Sequence, residues 1–312
     1  MLPFQSQRTS AQSVSSLIPI LDGASPLDGA SRLDDRADLR AAALHWLREP
    51  DAARKQQGVR GLARELAQAQ RGLRIDTVYA MDVGVPGRPA QPILVSPNQL
   101  PVRAMKTREG RAAQIHAMAH IEFNAINLAL DALVRFSGLP PAYYADWLQV
   151  ADEEALHFDL LAQHLQHLGF AYGDFPAHNG LWEMAERTRD DVLARMALVP
   201  RTLEARGLDA SPQVRAKLWQ AGDRRAAEIL DVILRDEIGH VAIGNRWFGW
   251  LCQERGLDPL QAQADLDLRY RAPRMHGPFN LEARRQAGFS ERELALLQSA
   301  ESPREKPIAP TT

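Results

Sequence analysis

Apolar residues recur every three or four positions along most of the chain, as at Val59, Leu62, Leu66 and Ala69, which is the repeat of one helix face. No stretch alternates apolar and polar residues long enough to demand a sheet, and no short-period repeat stands out. The pattern predicts two helices near residues 37–47 and 53–73. Pro86, Pro89, Pro92, Pro97 and Pro101 then interrupt one stretch; each removes a backbone donor and fixes φ, so an irregular crossing segment is expected. Long alanine- and leucine-rich helices follow over 109–136 and 141–168, parted by Ser137, Gly138 and the prolines at 140 and 141. Three glycines and a proline in 169–180 predict a crossover, with a short helical turn at 181–187. Further helices are expected at 189–205, at 213–220 after breaks at Gly207 and Pro212, and at 224–252 after the turn at Gly222 and Asp223. Residues 1–36 and 299–312 lack this repeat and read as loose tails. The expected organisation is all-α: an N-terminal helical layer with the proline-rich segment (37–106), a four-helix bundle (107–255) and a C-terminal arm over it (256–298).

Composition narrows the chemistry. Lysine and arginine total 37 against 39 acidic residues in 312, a net charge of -2, so any polyanion site must be a local patch. The single Cys252 closes no intrachain disulfide and excludes a zinc–cysteine cluster, leaving His, Asp and Glu for metal chemistry. The apolar run at 17–21 is shorter than a secretory signal requires, and nowhere do about 18 consecutive apolar residues occur. A cytoplasmic location without a membrane partner is expected.

Two Glu-x-x-His motifs, Glu154 with His157 and Glu237 with His240, fall on the second and last long helices. Residues three apart share a helix face and can grip one metal together. Each motif follows a glutamate on the preceding helix: Glu122 lies 32 residues before Glu154, and Glu204 lies 33 before Glu237. With turns near Gly138 and Gly222, each early glutamate meets its partner at one height of an antiparallel pair. Four glutamates and two histidines would then converge at the centre of a four-helix bundle, the pattern of the carboxylate-bridged dinuclear site in ferritin-like proteins. Glu186, Asp190 and Asp191 compete with Glu204 for the place on the third helix, which Pro200 could kink. Glu153 and Asp236, each just before a ligand glutamate, could hold the second N–H of the histidines. His116 and His120 point away from Glu122 at about 100° per residue and read as packed or solvated side chains. His164 lines an approach to the site or closes the bundle end.

The segments HIEFNAINLALD, ADEEALHFDLLAQHL, YGDFPAHNGLWEMA, RMALVPRTLEARGLD and ILRDEIGHVAIGNRWF resemble an uncharacterised bacterial ferritin-like family, a domain of unknown function, over roughly residues 40–298. The resemblance implies a ferritin-like four-helix bundle with a dinuclear centre, and carries ligand roles onto Glu122, Glu154, His157, Glu204, Glu237 and His240. More remotely the family is similar to tRNA hydroxylases that modify prenylated adenosine, and to di-iron mono-oxygenases generally.

The functional expectation is an oxidoreductase that uses two metal ions, iron with iron or iron with manganese, to activate O2 and hydroxylate or desaturate a substrate. Electrons would come from an external ferredoxin or reductase, because no nucleotide-binding glycine motif follows a strand. A tRNA nucleoside is the narrower substrate, with RNA then a partner, and a homodimer is the expected assembly. The rival expectation is iron binding or ferroxidase activity without an organic substrate, in a large symmetric assembly; a third is a metal-free interaction module. In the arm, Arg269, Arg271, Arg274, Arg284 and Arg285 face Glu282 alone, with Arg103, Lys106, Arg108 and Arg111 as basic residues that could lie nearby. Arg269, Arg271 and Arg274 are candidates for an anionic group of the substrate, against ion pairing or a solvated face.

Overall fold

The computed structural model describes residues 38–68, 75, 79 and 85–301. The tail expected at 1–36, residues 69–73 of the second expected helix and 302–312 of the C-terminal tail lie outside the described residues. Among the described residues every regular element is helical, and a lone parallel bridge between Leu94 and Ala177 is the nearest approach to a sheet. Among the described residues no helix is long and apolar enough to cross a membrane.

The central helix α3 (Arg108–Arg135) starts where the Thr107 side chain accepts from the Gly110 N–H, and is buried on almost every face from Gly110 to Val134. Gly138, at φ 75°, turns the chain into α4 (Pro141–His167), which packs extensively against α3. A crossover carrying α5 (Gly180–Arg187) leads to α6 (Val192–Leu198), a π-helical turn (Val199–Glu204) and α7 (Ala205–Gln220). Then α8 (Arg224–Glu254), capped by Asp223, runs back between α4 and the α6–α7 segment. The all-helical bundle is compatible with a ferritin-like arrangement.

The third bundle strut departs from expectation at both ends. It begins at Val192 because Asp191 caps it, and it passes through Gly207 and Pro212 instead of breaking there. Pro212 has no N–H for the Leu208 carbonyl, and the Asn280 side-chain amide donates to that carbonyl instead, at 3.2 Å. Burial of Ala205, Leu208 and Leu218 holds the remainder of α7 in place. Pro200 lies inside the π-helical turn, where the Thr202 hydroxyl donates to the Ala197 carbonyl at 2.8 Å.

Two outer layers complete the chain. Of the N-terminal layer, α1 (Leu39–Arg48) packs on α3 and α2 (Ala52–Gln68) on α4. Buried Arg40 donates to the Leu133 carbonyl at 3.1 Å and to that of Val134, carbonyls the end of α3 leaves unpaired. Buried Lys55 donates to Asn127 of α3 and to the Leu47 and Gly87 carbonyls. The arm comprises α9 (Pro259–Arg269), α10 (Leu281–Gln286) and α11 (Glu291–Glu301), so helix extends three residues into the stretch expected as tail. Ala283, Ala287, Phe289 and Leu294 of the arm pack on Ala205, Leu208 and Val241, beside Leu234 and Ile238.

Candidate metal centre

Helical spacing aims the key side chains inward: Glu122 from α3, Glu154 and His157 from α4, Glu237 and His240 from α8, and Glu204 from the last residue of the π turn, all buried. Ligand atoms of Glu122, Glu154, His157 and Glu237 lie within 4.8 Å of one another. His240 joins them, its Nδ1 3.0 Å from Glu154 Oε1 and 3.8 Å from Glu237 Oε2. His157 Nδ1 lies 3.4 Å from Glu154 Oε2 and 3.5 Å from Glu122 Oε2, so the two oxygens of Glu154 face the two imidazoles. Glu204 is close enough for its charge to act on Glu237, Glu154 and His240.

The competitors of Glu204 are occupied elsewhere. Glu186 is exposed and accepts from Trp182 Nε1; Asp190 is exposed beside Arg189; Asp191 caps α6 and pairs with Arg255.

The outer nitrogens of both imidazoles are held crosswise. His157 Nε2 on α4 lies 3.1 Å from Asp236 Oδ2 on α8, and His240 Nε2 on α8 lies 2.7 Å from Glu153 Oε2 on α4. A carboxylate only accepts, so each Nε2 carries a proton and each Nδ1 faces the glutamates.

Burial and neighbouring charges shift the carboxyls of the cluster in opposite directions. Burial pushes the Glu122, Glu204 and Glu237 carboxyls above the usual range, and neighbouring carboxylates push them further. Glu154 goes the other way: burial would raise it, but the charge of His240 and the contacts with both imidazoles hold it below the carboxylate range. Burial would lower His157 and His240, and their carboxylate contacts outweigh it, leaving both raised. Glu122 Oε2, Glu154 Oε1, Glu204 Oε2, Glu237 Oε2 and His240 Nδ1 are buried without a hydrogen-bond partner. Buried polar atoms are normally satisfied, so unpaired carboxylate oxygens gathered around two imidazoles fit a cation. This buried Glu/His group could hold a metal ion.

A family model described as "Protein of unknown function (DUF455)" matches residues 48–295. The chain belongs to the DUF455 family. It is 52% identical over 220 residues to an uncharacterized protein of Haemophilus influenzae, a match covering 68% of this chain and 76% of that protein. No solved structure matches it. The DUF455 match spans the buried Glu/His group, Glu153, Asp236 and most of the arm.

The other basic and imidazole candidates of this DUF455 chain lie apart. Arg284 is buried against Asp209 at 2.6 Å, and Arg285 pairs with Glu282 and Glu291. Arg269, Arg271 and Arg274 are exposed at and after the end of α9, and among the described residues no hydrogen bond or ion pair joins them to the cluster. Arg103 pairs with Glu109, Arg108 donates to the Leu168 carbonyl, and Arg111 approaches Asp223. His116 accepts from the Gly173 N–H, and His120 contacts Tyr172 Oη and the His178 carbonyl; burial pushes both down to about 4, so they are neutral packed rings. His164 hydrogen-bonds Asp223 at the bundle end. The π turn that carries Glu204 went unread in the sequence, where Pro200 was its one signal.

Proposed function

We propose that the cluster holds two metal ions, iron with iron or iron with manganese, and that the protein is an O2-dependent oxidoreductase that hydroxylates or desaturates an organic substrate. The buried group of Glu122, Glu154, His157 and Glu237, with ligand atoms within 4.8 Å of one another and His240 beside them, carries this reading. Four glutamates bear as many negative charges as two divalent cations bear positive ones, so loading the site would offset the burial and the mutual repulsion that hold three of the carboxyls high.

Glu122 and His157 would hold one ion, Glu204, Glu237 and His240 the other, and Glu154, with one oxygen toward each imidazole, would be shared. Bound there, the pair would supply redox chemistry with two electrons from an external ferredoxin or reductase and two protons: in hydroxylation one oxygen atom of O2 enters the substrate and the other leaves as water, and in desaturation both leave as water while the substrate gives up two hydrogens. Asp236 and Glu153 fix the imidazoles, and the burial of every ligand keeps bulk water away. A tRNA nucleoside is the narrower substrate and predicts copurifying RNA.

The test is metal analysis with an optical spectrum on protein purified without oxygen and then exposed to it, beside a Glu154→Ala, His157→Ala double variant. The expected result is about two metals per chain and a transient oxygen-dependent band, both lost in the variant. Below about 0.2 metal per chain after reconstitution, the reading fails. More than two irons per chain in a large symmetric assembly would instead favour iron binding or ferroxidase activity.

A further inference from the structure

A second cavity, of about 570 Å³, opens at the far end of the bundle, where the first turn of α3, the last turns of α4 and the start of α8 meet. Its His164 stands seven residues after His157, roughly 10 Å along α4 from the metal cluster, so the two sites are separate. Arg111, Arg224 and Arg225 line it, and the one acid among its lining residues is Asp223.

That acid is already engaged. Asp223 accepts from His164 Nε2 at 2.9 Å and from the Ala226 N–H at 3.1 Å. Arg111 Nε lies 3.7 Å from Asp223 but is buried without a hydrogen-bond partner, and Nη1 donates to the Lys106 carbonyl at 3.3 Å. Arg224 stacks over the Trp219 ring at 5.1 Å, and Arg225 meets only exposed Glu228 at 3.4 Å, a contact worth little in water. Three guanidinium groups therefore line one cavity with most of their donors unspent. The first backbone N–H groups of the 31-residue α8 add to this positive end, because Asp223 caps only that of Ala226. The remaining wall is Leu160, Leu168 and the ring of His167, which lies nearly parallel to His164 at 6.2 Å, together with Gln163 and Gly222.

We propose that this cavity binds a phosphate-bearing small molecule, its phosphate on Arg111, Arg224 and Arg225 and its body against Leu160, Leu168 and His167. Guanidinium groups match phosphate by paired N–H donation, and the volume suits a ligand the size of a nucleoside monophosphate. The proposal does not depend on the metal reading, since no cluster ligand lines the cavity.

Calorimetric titration of the full chain with AMP, inorganic phosphate and adenosine tests it. AMP should bind at one per chain, inorganic phosphate at least about tenfold more weakly, and adenosine not measurably. The Arg224→Gln, Arg225→Gln double variant should weaken AMP binding at least about tenfold. Both side chains are exposed, so its thermal unfolding should match that of the unaltered protein; Arg111→Gln, tested separately, should weaken AMP as well. Equal binding of AMP and adenosine, no binding of either AMP or phosphate, or unchanged AMP affinity in the folded double variant would each overturn the assignment. Equal affinities for phosphate and AMP would remove the apolar wall from it.

Discussion

His157 and His240 each give one ring nitrogen to a carboxylate on the other's helix, so α4 and α8 orient each other's ligands. Asp236 is held below the carboxylate range: burial would raise it, and the hydrogen bonds from His157 and Arg235 outweigh that. An ionised acid here keeps the proton on Nε2 and the lone pair on Nδ1, where a metal would need it. Asp236→Asn removes the charge and lets an amide N–H face the ring, favouring the wrong tautomer. Fe(II) or Mn(II) affinity should fall about ten- to a hundredfold, and Glu153→Gln should act alike on the other half of the site. A competition titration reads both. Unchanged affinity in both variants would show that these acids merely solvate the bundle surface.

Between Leu198 and Ala205 the chain widens into the π turn that carries Glu204, and α8 meets it through Gly244. A Cβ at Gly244 would lie 2.5 Å from Pro200 Cβ and 2.7 Å from its Cγ, and a proline ring cannot swing aside. Gly244→Ala should therefore cost about 1–3 kcal/mol in chemical unfolding and push the turn, with Glu204, off the cluster. Metal stoichiometry should drop alongside; full stability and full loading would disprove the close approach. This turn also marks the limit of reading the chain as a string. The two Glu-x-x-His motifs and the matched Glu122 were legible because helical phase is local: three residues apart means one face, whatever packs against it. The third strut was not, because Pro200 looks like a kink and Pro212 like a break until Thr202 and Asn280 are seen donating near them, the second from about 70 residues away. The paired state of Arg284 was hidden for the same reason, since Asp209 lies far off in sequence.

At the scale of the whole molecule, polar bonds between distant segments fasten the outer layers to the bundle: Asn280 and Arg284 for the arm, Arg40 and Lys55 for the N-terminal layer. Lys55 is the exposed weakness in this scheme because its ammonium is buried. Burial, and next the charge of Arg88, push it from 10.5 down to about 7, with Glu49 pulling weakly the other way. Below pH 7 both folded and unfolded chains carry the proton, and the fold bears the full cost of a buried charge. Between pH 7 and 10.5 the unfolded chain still holds a proton that the folded chain has released, so stability contributed by this group rises with pH, by at most about 1.4 kcal/mol per unit. Lys55→Met leaves the Asn127, Leu47 and Gly87 acceptors unpaired, a cost that does not change with pH, and it removes the titration. Urea unfolding at pH 7, 8 and 9 should therefore show the unaltered protein gaining on the variant by about 1 kcal/mol or more per step once past pH 7. Parallel stability curves would mean that Lys55 keeps its proton in the folded state, its three oxygen acceptors then outweighing burial as the stronger influence on the ammonium.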